Sequence, residues 1–166
     1  MTIRAWGGRQ IAAVIDRIYC HIVWTTRHRE ALIDVGLARF LCGFFRGIAS
    51  QEAARILEIG MVRTHVHVLA RIRPTTNVSR LLQRLKGGSA AIAGKEHRAA
   101  AGVPLKWAKG YSIHSVGVRS VAAVRAYLRD QPMHHPDQVI TGWEGDSPEY
   151  EAGGADEWRS EGRRRI

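Results

Sequence analysis

The stretch M-V-R-T-H-V-H-V-L-A-R-I, Met61 to Ile72, places two histidines one residue apart inside a run of β-favouring apolar residues. In a strand, residues i and i+2 point to the same face, so His65 and His67 project together while Val66 and Val68 point to the other. The run before it, Ile56 to Val62, reads as a second strand, and the short link Arg63-Thr64 joins the two as a hairpin. Two imidazoles on such a rigid support form a claw that loses little entropy when a divalent ion arrives. On this stretch by itself an exposed polar face of an antiparallel strand is the simpler reading, because short motifs match by chance. The surrounding chain has to decide.

Upstream, Arg17 to Thr26 (R-I-Y-C-H-I-V-W-T-T) is dominated by β-branched and aromatic residues and predicts the first strand, with Arg27, His28 and Arg29 as a basic turn at its end. In residues 34–54, Leu37, Phe40, Leu41, Phe44, Phe45 and Ile48 recur at helical spacing behind Asp34, a suitable N-cap, and predict an amphipathic helix covering a sheet. Downstream, Pro74 ends the strand that carries the histidines. Asn77 or Thr76 caps a further helix, with Val78, Leu81, Leu82, Leu85, Ala90 and Ile92 on its buried face and Arg80, Arg84 and Lys86 on a basic one. Gly87 and Gly88 interrupt that helix and mark either a bend or the close approach of another backbone. Lys95 to Pro104 reads as a flexible loop and Trp107 to Gly117 as the last strand. Ser120 then opens a helix through Gln131 that Pro132 stops.

The order β-α-β-β-α-β plus a final helix predicts an α+β, ferredoxin-like split β-α-β fold: an antiparallel four-stranded sheet with two helices on one face and a C-terminal helix. His65 and His67 then lie on a central strand. Residues 1–15 read as an N-terminal extension, 16–143 as a single domain and 144–166 as a polar, disordered tail.

A chain of 166 residues, 45% of them hydrophobic, suits one globular domain with a real core. No apolar run reaches the length of a membrane span, and the N-terminal segment lacks a signal-peptide core. The expectation is therefore a cytoplasmic protein without a membrane partner. Cys20 and Cys42 have neither metal nor redox spacing and read as small core residues. Charge is more informative: 25 lysines and arginines stand against 15 acids, and seven of those acids fall in residues 141–166 beside four arginines. Residues 1–140 thus hold 21 bases and 8 acids. Arginine dominates, which suits bidentate phosphate contact, so nucleic acid is the first candidate partner. A generic basic composition from an arginine-rich coding background is the other reading.

In the final helix, Tyr127 and Gln131 are four apart and share a face, while Val121, Val124 and Leu128 form the buried stripe. A tyrosine hydroxyl, with a reference pKa of about 10, is a weak nucleophile unless a cation or a metal-polarised phosphorus centre is near. Two histidines and an oxygen donor such as Gln131 would leave open positions on a divalent ion for phosphate oxygens. Taken alone, Tyr127 reads as an ordinary half-buried helix tyrosine.

Five blocks taken together change the balance. I-V-W-T-T-R (Ile22 to Arg27), H-V-H (His65 to His67), L-Q-R-L-K-G-G-S (Leu82 to Ser89), K-G-Y-S-I-H-S-V-G (Lys109 to Gly117) and Y-L-R-D-Q-P-M-H-H (Tyr127 to His135) occur in that order. The chain from Tyr19 to His135 resembles the single-tyrosine HUH transposases, the TnpA enzymes of insertion sequence 200/605 type and the related REP-associated tyrosine transposases. The resemblance implies a metal-dependent enzyme using Mg²⁺ or Mn²⁺ and no small-molecule cofactor. It implies His65, His67 and Gln131 as metal ligands and Tyr127, on a C-terminal catalytic helix, as the nucleophile. It further implies cleavage and rejoining of single-stranded DNA with hairpin ends through a 5′-phosphotyrosine, by a homodimer that merges its sheets, in a prokaryotic cytoplasm and at the nucleoid. In such dimers the Tyr helix of one subunit often pairs with the His pair of the other.

The chain departs from the family pattern at Thr64, where an acidic or amide residue commonly precedes the first histidine; this bears on what supports the metal ligands. Arg27, Arg29, Arg80, Arg84 and Lys86 are candidates for phosphate contact, and Trp24 or Trp107 for stacking on an unpaired base, with a core anchor as the alternative for each tryptophan. His114 lies on a strand of unknown facing, and His134 and His135 read as a helix-end cap or a DNA contact. Two rival functions stay open: a catalytically silent, domesticated hairpin-binding module, and a metal-dependent phosphoesterase that uses water. The joint presence of His65, His67, Tyr127 and Gln131 favours the transposase.

Overall fold

Alternation of apolar residues sets the sheet. A computed structural model of the chain describes residues 16–96 and 102–145; the expected N-terminal extension, the middle of the Lys95 to Pro104 loop and the tail beyond residue 145 lie outside the described residues. Strands β1 (Ile18–Thr25), β2 (Ala54–Val62), β3 (His65–Ile72) and β4 (Ser112–Val116) form one antiparallel sheet in the order β2-β3-β1-β4. β3 is thus a central strand, and its hairpin with β2 turns at Arg63-Thr64, where Val62 pairs with His65.

One face of this sheet is the main core. Cys20, Ile22 and Trp24 of β1 and Val66, Val68, Ala70 and Ile72 of β3 meet helix α1 (Val35–Gln51) through Leu37, Leu41, Phe45 and Ile48. Asp34 caps α1 as its position predicts, its carboxylate accepting from the Leu37 amide at 2.8 Å, a contact worth about 1 kcal/mol in such helices. Helix α2 (Val78–Gln83), capped by Asn77, runs through a π-helical turn (Arg84–Gly88) into α3 (Ser89–Glu96) and covers the same face with Leu81, Leu82 and Leu85. The glycine pair falls in the π turn. A β-carbon on Gly88 would meet Phe44 Cζ at 2.9 Å, so the close neighbour is an α1 side chain and not a backbone.

Three details depart from expectation. β4 begins only at Ser112, and Trp107 instead makes an isolated bridge with Thr26. The final helix breaks at Asp130 into α4 (Val121–Arg129) and α5 (Gln131–His134). Pro132 does not stop a helix: it occupies the first turn of α5, where its missing N–H has no intrahelical partner to lose. Finally, a β-bulge between Ile56 and Glu58 shifts the parity of β2, so Ile56 and Ile59 both face the main core while Glu58 points to the other side. That other side carries a smaller cluster of Tyr19, Leu57, Leu69 and Leu128, which docks α4 on the sheet.

Candidate active site

On the face opposite α1, the alternation of β3 leaves His65 and His67 side by side, their ring centroids 5.1 Å apart. α4 packs on that face against β2 and β3, and its C-terminal end lies over Gly60, which pairs with His67. Both are nearly buried, 5% and 7% exposed. Burial first, and the neighbouring His135 next, push His65 down to about 4, with the Gln131 amide opposing and Arg29 adding to the fall. Burial, then His65, then His21, push His67 down to about 3. Both rings are therefore neutral near pH 7, the state in which an imidazole offers a lone pair to a metal.

The contacts decide which nitrogen is on offer. His65 Nδ1 lies 3.0 Å from Thr64 Oγ1, and that hydroxyl donates to Gln138 Oε1 in a short hydrogen bond. With its proton committed to Gln138, the Thr64 oxygen accepts from His65 Nδ1–H, which leaves Nε2 as the lone-pair nitrogen. Thr64 thus supplies the contact that its departure from the family pattern put in question. Gln138 is held there by its own backbone, whose carbonyl accepts from the Arg63 amide at 2.9 Å, so the segment Pro136–Gln138 is stapled to the β2–β3 turn. His67 Nδ1 is engaged in turn by His21 Nε2 at 2.9 Å.

Gln131 is wholly buried, and its Oε1 has no well-aligned hydrogen-bond donor, although the amide lies close enough to His65 to favour the charged form of that ring. An orphaned buried amide oxygen beside two neutral imidazoles fits a divalent ion that keeps further positions open. No group of three His, Cys, Asp or Glu side chains that could hold a metal occurs among the described residues; the donor set on offer is two imidazoles and one amide. Tyr127, on α4, is 42% exposed, with its ring 5.8 Å from that of His67 and 6.3 Å from that of His21. Tyr127 and Gln131 remain four apart across the helix break, joined by a 3.4 Å contact from Gln131 Nε2 to the Tyr127 carbonyl.

Packing under α4 holds this arrangement. Glu58, fully buried, receives Arg125 Nε and Arg129 Nη2, each at 3.1 Å. Gly60, which pairs with His67, lets α4 approach: a β-carbon there would run into the Leu128 carbonyl oxygen and stand 2.9 Å from Gln131 Cγ. Sequence reading found neither Glu58, Arg125 nor Gly60, and it set His134 and His135 apart from the ligands. His135 in fact lies 4.7 Å from His65, ring to ring, and His134 5.0 Å from Tyr127. The -Q-P-M-H-H- spacing after Tyr127 was the available signal, and it needed α5 to become readable.

The DNA-contact candidates divide. Arg27 and Arg29 form an exposed 3-10 turn at the His65 end of β1, with His28 and Arg29 in the left-handed region (φ 55° and 54°). Arg80 and Arg84 lie on the opposite face of the sheet, both bound to Glu52, and Lys86 donates to the carbonyls of Lys109 and Gly110. Trp24 must be corrected: at 1% exposure, between Phe45 and Trp107, it is a core anchor that no base reaches. Trp107 is half-buried and tied through Nε1 to Ser89 Oγ at 2.9 Å.

Comparisons with known proteins bear on the family and the fold. The family model described as "Transposase IS200 like" matches residues 14–131. The ISDra2 transposase TnpA of Deinococcus radiodurans is 24% identical over 114 residues, 67% of this chain and 81% of that protein. The transposase for insertion sequence element IS200 of Salmonella typhimurium is 26% identical over 117 residues, 67% of this chain and 74% of that protein. Two solved structures share the fold. A Deinococcus radiodurans R1 transposase superposes with a TM-score of 0.56 at 21% identity, over 76% of this chain and 98% of that one. A REP-associated tyrosine transposase bound to a REP hairpin gives a TM-score of 0.58 at 11% identity, over 78% and 74%. No helix among the described residues is long and apolar enough to cross a membrane. The chain belongs to the IS200-like transposase family.

Proposed function

We propose that residues 16–143 act as one unit that cuts and rejoins single-stranded DNA at hairpin-flanked ends, in a prokaryotic cytoplasm and at the nucleoid, with Tyr127 as the nucleophile. The observation that carries this reading is the position of Tyr127, half exposed, 5.8 Å ring to ring from His67 and within the same chain as a two-imidazole, one-amide donor set. His65, His67 and Gln131 would hold Mg²⁺ or Mn²⁺. Such an ion, when bound, draws charge from the scissile phosphate and makes its phosphorus electrophilic.

The chain's own residues do the rest. Tyr127 oxygen, giving up its proton, forms a bond to phosphorus while the bond to the 3′ oxygen breaks, and that oxygen leaves as a 3′-hydroxyl after taking a proton. The product is a 5′-phosphotyrosine that stores the phosphodiester, and attack by a 3′-hydroxyl reverses the step without ATP. Arg27 and Arg29 lie where a strand entering the site would pass; Arg80, Arg84 and Lys86 would contact a hairpin only on the far face. The REP hairpin bound by one structural neighbour supports a hairpin partner for this chain as well. A homodimer would join along β4, an edge strand whose Ser112, Ile113, His114 and Ser115 are exposed on both faces.

The test is incubation with a labelled single-stranded hairpin end and Mn²⁺. A covalent protein–DNA adduct is expected with the wild type and none with Tyr127→Phe, hairpin binding being retained. An adduct formed by Tyr127→Phe overturns the assignment. Hairpin binding without adduct under any metal would mark a silent binding module instead, and turnover without adduct a phosphoesterase that uses water.

A further inference from the structure

Six of the chain's eight histidines stand on or beside the site face of the sheet, and the proposed chemistry uses two of them. His21 hydrogen-bonds a candidate ligand. It sits on β1 with its ring close to the plane of that of His67, centroids 5.2 Å apart and planes 22° apart, and its Nε2 lies 2.9 Å from His67 Nδ1. Parity explains its facing: Cys20, Ile22 and Trp24 fill the main core, so His21 projects to the other side, diagonal to His67 and directly opposite His114 of β4.

We propose that His21 is a positioning residue that fixes the tautomer and plane of His67, accepting a hydrogen bond from its Nδ1–H so that Nε2 faces the metal. The inference rests on the reading of His67 as a metal ligand. Two nitrogens 2.9 Å apart share one proton, so one ring donates and the other accepts. Were His21 the donor, His67 would carry its own proton on Nε2 and could not ligate. Were His67 the donor, Nε2 is free and the hydrogen bond holds the ring near the plane of His21. The second arrangement matches the other ligand, where Thr64 accepts from His65 Nδ1–H. Each histidine of the pair then has its outer nitrogen held by a polar neighbour, one by a hydroxyl and one by a third imidazole, as metal-bound histidines generally require.

The distinguishing experiment uses full-length protein with selectively ¹⁵N-labelled histidine and no DNA. Long-range ¹H–¹⁵N spectra of the metal-free wild type at pH 7.5 should find His67 in the Nδ1–H form; His67 in the Nε2–H form overturns the proposal without any mutation. In His21→Ala the Nδ1 acceptor is gone, the Nε2–H form of His67 should become populated, and Mn²⁺ affinity, read by loss of the free-ion electron paramagnetic resonance signal, should fall about 10- to 100-fold. His21→Gln, whose amide oxygen can still accept at that position, should recover most of the affinity, and it serves as the folded variant should His21→Ala not fold. His67→Ala separates the two readings. If it leaves Mn²⁺ binding intact, the ligand assignment falls; if it abolishes binding while His21→Ala and His21→Gln change neither tautomer nor affinity, only the role of His21 falls.

Discussion

At the scale of single residues, the two candidate histidine ligands differ in what holds them, and Thr64 is the more exposed to test. Its hydroxyl bridges His65 Nδ1 and Gln138 Oε1. Thr64→Val keeps shape and removes the bridge, so Mn²⁺ affinity should fall about 10- to 100-fold with the fold intact, and Thr64→Ser should restore it; calorimetric titration with Mn²⁺ reads both, and an unchanged affinity for Thr64→Val would remove Thr64 from the site. The buried rings also predict a pH response. His65 and His67 are held down to about 4 and about 3, below the value of about 6.5 for a free imidazole. Below about pH 6.5 the unfolded chain therefore takes up protons that the folded chain refuses. The stability contributed by these neutral rings is complete above that pH and drains away as the pH falls towards their folded values. Melting of the metal-free protein should show a Tm that drops between pH 7.5 and 5, above the range of ordinary carboxylates, and a shallower drop for His67→Asn; a flat wild-type profile would contradict the burial argument. The His65/His67 pair was legible because it needs only a period of two. His21 was not: its parity could be guessed from the strand, but its neighbour depends on the β1–β3 register, which no local pattern encodes.

At the scale of elements, the helix bearing Tyr127 is placed by features of β2 that alternation hides. The order of strands and helices, the Asp34 and Asn77 caps and the amphipathic α1 followed from local periodicity, which is why they could be read from the chain. The bulge at Leu57 breaks that periodicity: it turns Glu58 under α4, where Arg125 and Arg129 neutralise it, while Ile59 and Met61 return to the main core. Pro132 misled for a related reason, since a proline that would end a long helix also fits the first turn of a new one. Gly60 is the sharpest consequence. Any β-carbon there collides with the Leu128 carbonyl and crowds Gln131, so Gly60→Ala must lift the end of α4 from the sheet. Because Gly60 lies within the β2–β3 ladder, paired with His67, the fold should survive and the far-ultraviolet circular dichroism should be unchanged. Displacing a nucleophile by about 1 Å costs on the order of 10²-fold in rate, so adduct formation with a hairpin end should slow by about that factor while hairpin binding holds. An adduct rate equal to wild type would mean that the α4 end does not set the position of Tyr127.

At the scale of the whole molecule, the question is whether one chain makes a complete site. The proposed dimer would join sheets along the exposed β4 edge, on the far side of β1 from the strands that α4 covers. Moving α4 to a partner would strip Leu128 from its cluster with Tyr19, Leu57 and Leu69, and would leave Glu58 buried without its two guanidiniums. Removing one side of a buried ion pair costs about 3–5 kcal/mol, a large fraction of the stability of a domain this size. Exchange of the helix therefore has to regain that loss in a partner groove of the same shape, and nothing is gained by the move itself. Each subunit should keep its own Tyr127 beside its own His67. Mixing Tyr127→Phe with His67→Ala, under conditions where differently tagged copies co-purify, is expected to yield no covalent adduct on a hairpin end, because each subunit lacks one half of its own site. Recovery of the adduct in the mixture would show that α4 crosses between subunits, and the contacts of Glu58 and Gly60 would then have to be re-formed against the partner's sheet.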